Sequence, residues 1–328
     1  MAKVKNSLLA RSSLPLFASL KTKDMFSAIK YLINENTILL KKLEKQKKLT
    51  WENFVYKLEE SDDKISKAWA PIRHLNSVMN DKNVREQYDK SLRLLTSHYG
   101  KIGQNQRLFK QYERFYEENK KTLNAKQRKL ISDTLRSFRL SGVDLDAGDR
   151  KLFRECKERI SELESKFEQN ILDSTNAWFL NFNTKKPLAG LPLNSLEIAA
   201  EVASFRGEKG YTLTLDQPCY TAVMTFAKNS NLRKKMYIAY ISRASKNFPI
   251  KGDWDNTNII EEILSLRQKV ANILGFKNYS QLSLETKMAN STDEVIRFLD
   301  GLKKKAIGKS KTEIKVLKKY AKKNLNLV

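Results

Sequence analysis

The apolar residues of this chain return at three- and four-residue steps along most of its length. From 152 onward, Leu152, Cys156, Ile160, Leu163, Phe167, Ile171 and Trp178 mostly keep that spacing, with Glu155, Glu158, Glu162, Lys166 and Gln169 between them. A repeat near 3.6 residues returns each side chain to the same side of a helix. The pattern therefore predicts an amphipathic helix of about seven turns, buried along one stripe. Asn124 is placed as the N-cap of a preceding helix that buries Leu130, Leu135 and Phe138 and stops at Ser141-Gly142. Ile259, Ile263, Leu266, Val270 and Ile273 mark another, begun near Asp255 and ended at Gly275. Segments 24–49, 52–79 and 83–119 read the same way.

One stretch departs from this period. Tyr211-Thr-Leu-Thr-Leu215 alternates apolar and polar before Pro218, and Trp178, Leu180 and Phe182 alternate within 177–183. The two predict a small β-hairpin insertion, near 177–183 and 211–216, around a short helix at 195–206. The expected class is all-α with that one insertion. Only 11 Gly, 6 Pro and 2 Cys in 328 residues exclude collagen-like and disulfide-scaffold chains, and 15 Phe, 12 Tyr and 4 Trp argue against disorder.

Charge is the other strong feature: 62 Lys+Arg against 37 Asp+Glu, a net of +25. Residues 1–50 carry 11 basic and 3 acidic side chains, and residues 300–328 carry 10 and 2. Two thirds of the excess therefore sits at the two ends, which argues against a body-wide nucleic-acid face. In the C-terminal run, Lys303–Lys305, Lys318-Lys319 and Lys322-Lys323 accompany an apolar stripe of Leu302, Ala306, Leu317, Ala321 and Leu325. It reads as an amphipathic helix with a solvated Lys face, and nucleic-acid or anionic-membrane binding is its alternative.

Catalytic patterns are sparse. His74 and His98 each lack a histidine four residues on, since Val78 and Ile102 stand there, and no H-E-x-x-H occurs in these 328 residues. Both are expected as ordinary helix-surface or partly buried side chains. Cys156 and Cys219 read as isolated apolar fillers. Gly308-Lys-Ser310 lacks phosphate-loop spacing, because the preceding Gly301 lies seven residues back where the motif needs five. The pairs Asp62-Asp63, Glu117-Glu118 and Glu261-Glu262 are adjacent, so their side chains diverge by about 100° on a helix and suit solvent better than a shared metal. No catalytic, cofactor-binding or metal residue is assigned. Leu8–Ala10 and Leu14–Ala18 are broken by Arg11-Ser-Ser13, behind Lys3 and Lys5, so no secretory leader is expected. With no apolar run near 18 residues, no membrane span is expected either, and the location expected is cytoplasmic.

Ordered motifs then carry a family resemblance. Leu49-Thr-Trp-Glu-Asn-Phe54, Ala70-Pro-Ile-Arg-His-Leu-Asn-Ser-Val78, Phe138-Arg-Leu-Ser-Gly-Val143 and Asn170-Ile-Leu-Asp-Ser-Thr175 come first. Gly210-Tyr-Thr-Leu-Thr-Leu-Asp-Gln-Pro218, Met236–Ala244, Trp254-Asp-Asn256, Glu262–Arg267 and Leu274–Tyr279 follow. In this order they resemble the N-terminal half of M3 zinc metallopeptidases, the family of thimet oligopeptidase and neurolysin, in its oligopeptidase A branch. The resemblance spans 25–328. It implies a lead segment at 1–23 and, over 24–328, a helical wall of a channel that admits short peptides. It also places the zinc ligands and general-base Glu in the family's second half, so that none maps onto these residues. The expectation is a truncated or split chain, inactive alone, with zinc and catalysis supplied by a separately encoded half. The alternatives are a non-catalytic helical binding module and a basic nucleic-acid-binding protein.

Overall fold

The computed structural model describes residues 6–10, 12, 14–79 and 81–325. Lys3, Lys5, Arg11 and Ser13, used above to argue against a leader, lie outside the described residues. The chain divides into two units, 1–266 and 267–328.

The first unit begins with short 3-10 turns and α1, Met25–Leu43. The segment predicted as 24–49 thus stops at 43. Thr50 and Asn53 then cap each other, Asn53 N–H donating to Thr50 Oγ1 at 3.2 Å and Thr50 N–H to Asn53 Oδ1 at 2.8 Å. They open a π-helical turn, Trp51–Val55, that continues as α2, Tyr56–Val78. The expected single helix at 83–119 is two: α3, Lys82–Gly103, and α4, Gln106–Asn119. Asn105 makes the break, its side chain accepting from Leu108 N–H at 3.0 Å as the N-cap of α4.

Helix α5, Ala125–Leu140, starts at Asn124 as predicted, with Gln127 closing a reciprocal cap at 2.9 and 3.0 Å. It stops at Gly142, whose φ of +82° lets Val143 N–H reach back to the Phe138 carbonyl at 3.2 Å. Helix α6, Ala147–Ala177, is the long helix, capped by Asp146 a turn earlier than the periodicity showed.

Apolar stripes meet in separate clusters. Phe54, Leu108, Phe115 and Ile131 centre one between α2, α4 and α5. Met25, Ile29, Ile65 and Ile72 centre another between α1 and α2, joined by Val84, Tyr88 and Leu95 of α3. Each fully buried side chain of this size contributes on the order of 1.5–3 kcal/mol. Helix α6 is tied to α3 by polar contacts: Arg85 grips Asp173 with two bonds of 2.9 and 2.6 Å, and Asp89 accepts from Ser165 at 3.2 Å and Gln169 at 3.0 Å.

The predicted insertion is present. Strands β1, Phe179–Phe182, and β2, Tyr211–Thr214, pair antiparallel, Leu180 opposite Leu213 and Phe182 opposite Tyr211. Between them lies α7, Leu193–Phe205. Helices α8, Gln217–Phe226, and α9, Ser230–Ile241, complete a third cluster around Trp178, Leu213, Leu215, Val223 and Met236. The boundary between the units falls within α10, Thr257–Ile273.

The second unit holds α11, Tyr279–Leu284, and α12, Thr292–Leu325. Ser291 Oγ accepts from Glu294 N–H at 3.1 Å while Glu294 accepts from Asn290 N–H at 2.8 Å, which fixes the start of α12. The described chain is mainly helical, with twelve α-helices and one two-stranded sheet.

Candidate functional surface

The residues singled out by chemistry are scattered through this frame. His98, on α3, is 8% exposed, and its Nε2 lies 3.0 Å from Asn36 Oδ1 on α1. Burial lowers its pKa from the usual imidazole value, with Lys101 adding to the shift. This histidine is a satisfied core group rather than a ligand with a free lone pair aimed at a metal. His74, on α2, packs against the ring of Phe17 at 5.6 Å. Cys156 is buried and Cys219 half-buried, neither joined in a disulfide among the described residues, and burial pushes the Cys219 thiol upward. Gly308-Lys-Ser310 lies inside α12, so the geometry of a phosphate loop is absent there.

The adjacent carboxylates diverge as expected of neighbours on a helix. Asp62 accepts from the Tyr99 hydroxyl at 2.6 Å, Asp63 pairs with Lys67 at 2.6 Å, Glu117 with Lys120 at 2.5 Å, and Glu262 with Arg159 at 2.6 Å. Among the described residues, no group of three or more His, Cys, Asp or Glu side chains is placed to hold a metal ion.

What the structure does assemble is surface. In the first unit, three of the resemblance motifs, 170–175, 236–244 and 254–256, meet in a polar clamp. Asn170 Nδ2 of α6 donates to Asn256 Oδ1 at 2.8 Å, and Asn256 Nδ2 donates to the Phe167 carbonyl at 3.1 Å. Ser174 Oγ accepts from Ala244 N–H at 3.1 Å, where Ala244 holds a φ of +50°. A non-glycine residue in that region persists only where its surroundings over-determine it, and the clamp supplies that constraint. It sets the chain just after α9, where Arg243 lies 3.8 Å over the Tyr240 ring and Tyr240 stacks on Tyr220 at 3.8 Å. Nearby sequence leaves Tyr237, Ile238 and Ile241 exposed, and α7 leaves Leu193, Ile198 and Phe205 exposed, Phe205 by 93%.

In the second unit, α12 exposes Phe298, Leu299, Leu302, Val316, Leu317 and Tyr320 along one side, each by at least half. Patches of this kind mark interaction surfaces in folded chains. Of these six, the spacing in the sequence places Leu302 and Leu317 on the apolar stripe. It did not show the Tyr220–Tyr240–Arg243 stack, which joins side chains from α8 and α9 that no single-helix pattern relates.

Comparison with known proteins gives this frame a lineage. Residues 29–151 match Neurolysin/Thimet oligopeptidase, N-terminal domain, and residues 223–328 match Peptidase family M3. The chain belongs to peptidase family M3. It is 38% identical to oligopeptidase A of Haemophilus influenzae over 98% of this chain and 47% of that protein. With oligopeptidase A of Escherichia coli the identity is 37%, over 97% and 47%. With saccharolysin of Saccharomyces cerevisiae it is 24%, over 87% and 39%. The chain spans about half the length of the curated relatives it matches. Two of the motifs that carried the resemblance, Leu49–Phe54 and Phe138–Val143, frame the first buried cluster of this M3 chain. No described helix is long and apolar enough to cross a membrane.

Proposed function

We propose that these residues form the non-catalytic wall of an oligopeptidase A-like M3 metallopeptidase that cleaves short peptides in the cytoplasm. Residues 24–328 make the helical wall and 1–23 a lead segment. The observation that carries this reading is the 38% identity to an oligopeptidase A along 98% of the chain. Zinc, its ligands and the general base belong to a segment these 328 residues do not include. When bound there, zinc would lower the pKa of its water and polarise the scissile carbonyl. This wall contributes no group to that chemistry. It contributes shape: a packed helical body that bars folded proteins from the channel, and exposed apolar rows on α7, α9 and α12 for the catalytic half and the peptide.

The reading is tested with internally quenched short peptides. The 328-residue chain alone is expected to give no turnover. Mixing it with a polypeptide carrying the H-E-x-x-H half of an oligopeptidase A, plus zinc, is expected to give turnover that a chelator abolishes. Chelator-sensitive turnover by the 328 residues alone would overturn it.

A further inference from the structure

A cavity of about 390 Å³ opens among the first five helices, within the first unit. That is the size of an ordinary small-molecule site. Its apolar wall includes Leu58 and Phe138, both under 10% exposed. Tyr112 of α4 lines it too, 3% exposed, with its ring held between Phe54 at 4.8 Å and Phe138 at 5.8 Å. No hydrogen bond joins its hydroxyl to another described residue, and the charges that act on it are those of Glu59 and Asp62. The side chain is almost wholly buried while its hydroxyl has no partner among the described residues, which leaves that oxygen able to accept from a group that enters the cavity.

The mouth has one sign of charge. Asp62 keeps a carboxylate there while accepting from Tyr99, and Glu59 of the same helix stands one turn away without an ion-pair partner among the described residues. Partial burial and the Asp62 charge push the Glu59 carboxyl above its ordinary value, the mark of a carboxylate lacking a cation. Lys129, on the adjoining surface, is engaged by both oxygens of Asp133, at 2.5 and 2.7 Å. In a chain of net charge +25, this is an acidic rim over an apolar, phenol-lined hole.

We propose that this cavity binds a small organic cation, a primary ammonium on an apolar stem. The ammonium sits between Glu59 and Asp62 and donates to the Tyr112 hydroxyl, and the stem lies against Leu58 and Phe138. The site is independent of the peptidase reading, since its test is binding and not turnover.

The probe is 2-phenylethylammonium, titrated calorimetrically into the 328-residue chain at low salt, beside neutral 2-phenylethanol and anionic 3-phenylpropanoate. Saturable one-to-one binding of the amine is expected, with both isosteres weaker by about tenfold or more. Glu59→Gln and Asp62→Asn are each expected to weaken the amine about tenfold, and Glu201→Gln on α7 to leave it unchanged. Tyr112→Phe removes only the unpartnered hydroxyl, so it should weaken the amine while leaving the urea midpoint unchanged or raised. No saturable binding up to about 10 mM, equal binding of the three probes, or an affinity that Glu59→Gln and Asp62→Asn leave unmoved would each overturn the proposal.

Discussion

Helices α6 and α12 are close to a matched pair. They span 31 and 34 residues, and both carry apolar residues at helical spacing over a charged remainder. Yet α6 buries Phe153, Cys156, Ile160 and Leu163, whereas no residue of α12 is buried. Amphipathic periodicity determines that a helix forms and which side is apolar. It does not determine whether that side is covered, because the covering surface comes from residues far away in the chain or outside it. For α6 the polar teeth of α3 supply part of that answer: Arg85 on Asp173, Thr96 against Ser161 at 3.0 Å, Asp89 on Ser165. On α12, Phe298, Leu299, Leu302, Val316, Leu317 and Tyr320 stay at least half exposed.

The comparison is broken most directly by equal truncations. Leu163→Ala in α6 is expected to cost about 2–5 kcal/mol, from lost burial plus the cavity left behind. Leu302→Ala in α12, already half exposed, should stay within about 0.5 kcal/mol. Urea unfolding of the two variants measures both, and similar losses would show that α12 is covered in solution.

The hairpin gives a third kind of determinant, set by local geometry and not by a partner. Gly210 holds a φ of +90°, and a Cβ there would lie 2.2 Å from the Phe182 carbonyl across the turn into β2. Gly210→Ala therefore combines a left-handed backbone cost with a backbone clash, and is expected to destabilise by about 2 kcal/mol or more. Thermal unfolding reads it. A null effect would mean the strand pairing of Phe182 with Tyr211 is dispensable.

The α3–α6 contact is expected to matter less. Arg85 and Asp173 are each about a quarter exposed and share two hydrogen bonds. Replacing Arg85 with Met should cost about 1–2 kcal/mol, discounted for solvent screening, and an Asp173→Asn background should absorb most of it in a double-mutant cycle.

His98 sharpens the same packing through pH. Its folded-state pKa is depressed by burial, so the unfolded chain binds the extra proton first. Stability is complete above the ordinary imidazole pKa near 6.5 and falls as pH drops through the folded value, by at most about 1.4 kcal/mol per pH unit for one proton. His98→Gln, which can still donate to Asn36, is expected to flatten that part of the urea-midpoint profile. A slope unchanged by the substitution would assign it to other groups.

Particular residues show how far the sequence reaches. Asn124 and Gly142 bound α5 where local chemistry says they should, because caps are settled within a few residues. The pairing of β1 with β2 was legible on another ground: 177–183 is the best local partner for 211–215 because it also alternates. Helices α8 and α9 were not read, since Pro218, taken as the stop of a strand, also starts α8 in its first turn. The Tyr112 cavity was illegible for a deeper reason. Leu58, Glu59, Asp62, Tyr99 and Phe138 come from α2, α3 and α5, and each looks like an ordinary member of its own helix until the helices are packed.

The smallest effect on stability is also the one that tests what α12 is for. Leu317 is 66% exposed, so Leu317→Gln should move the urea midpoint of the 328-residue chain by less than about 0.5 kcal/mol equivalent. If the stripe of α12 is where a catalytic half packs, the same change puts an amide into a surface that must be desolvated on assembly, at a cost of about 1–3 kcal/mol. The mixture with an H-E-x-x-H half should then need roughly tenfold more of either polypeptide to reach half-maximal peptide turnover. The Lys318-Lys319 pair beside it offers the internal contrast: Lys318→Gln alters a solvated charge and should leave both midpoint and mixing curve where they were. Leu317→Gln without effect on the mixing curve would remove α12 from the interface, and the likeness between α6 and α12 would then end at their sequence patterns.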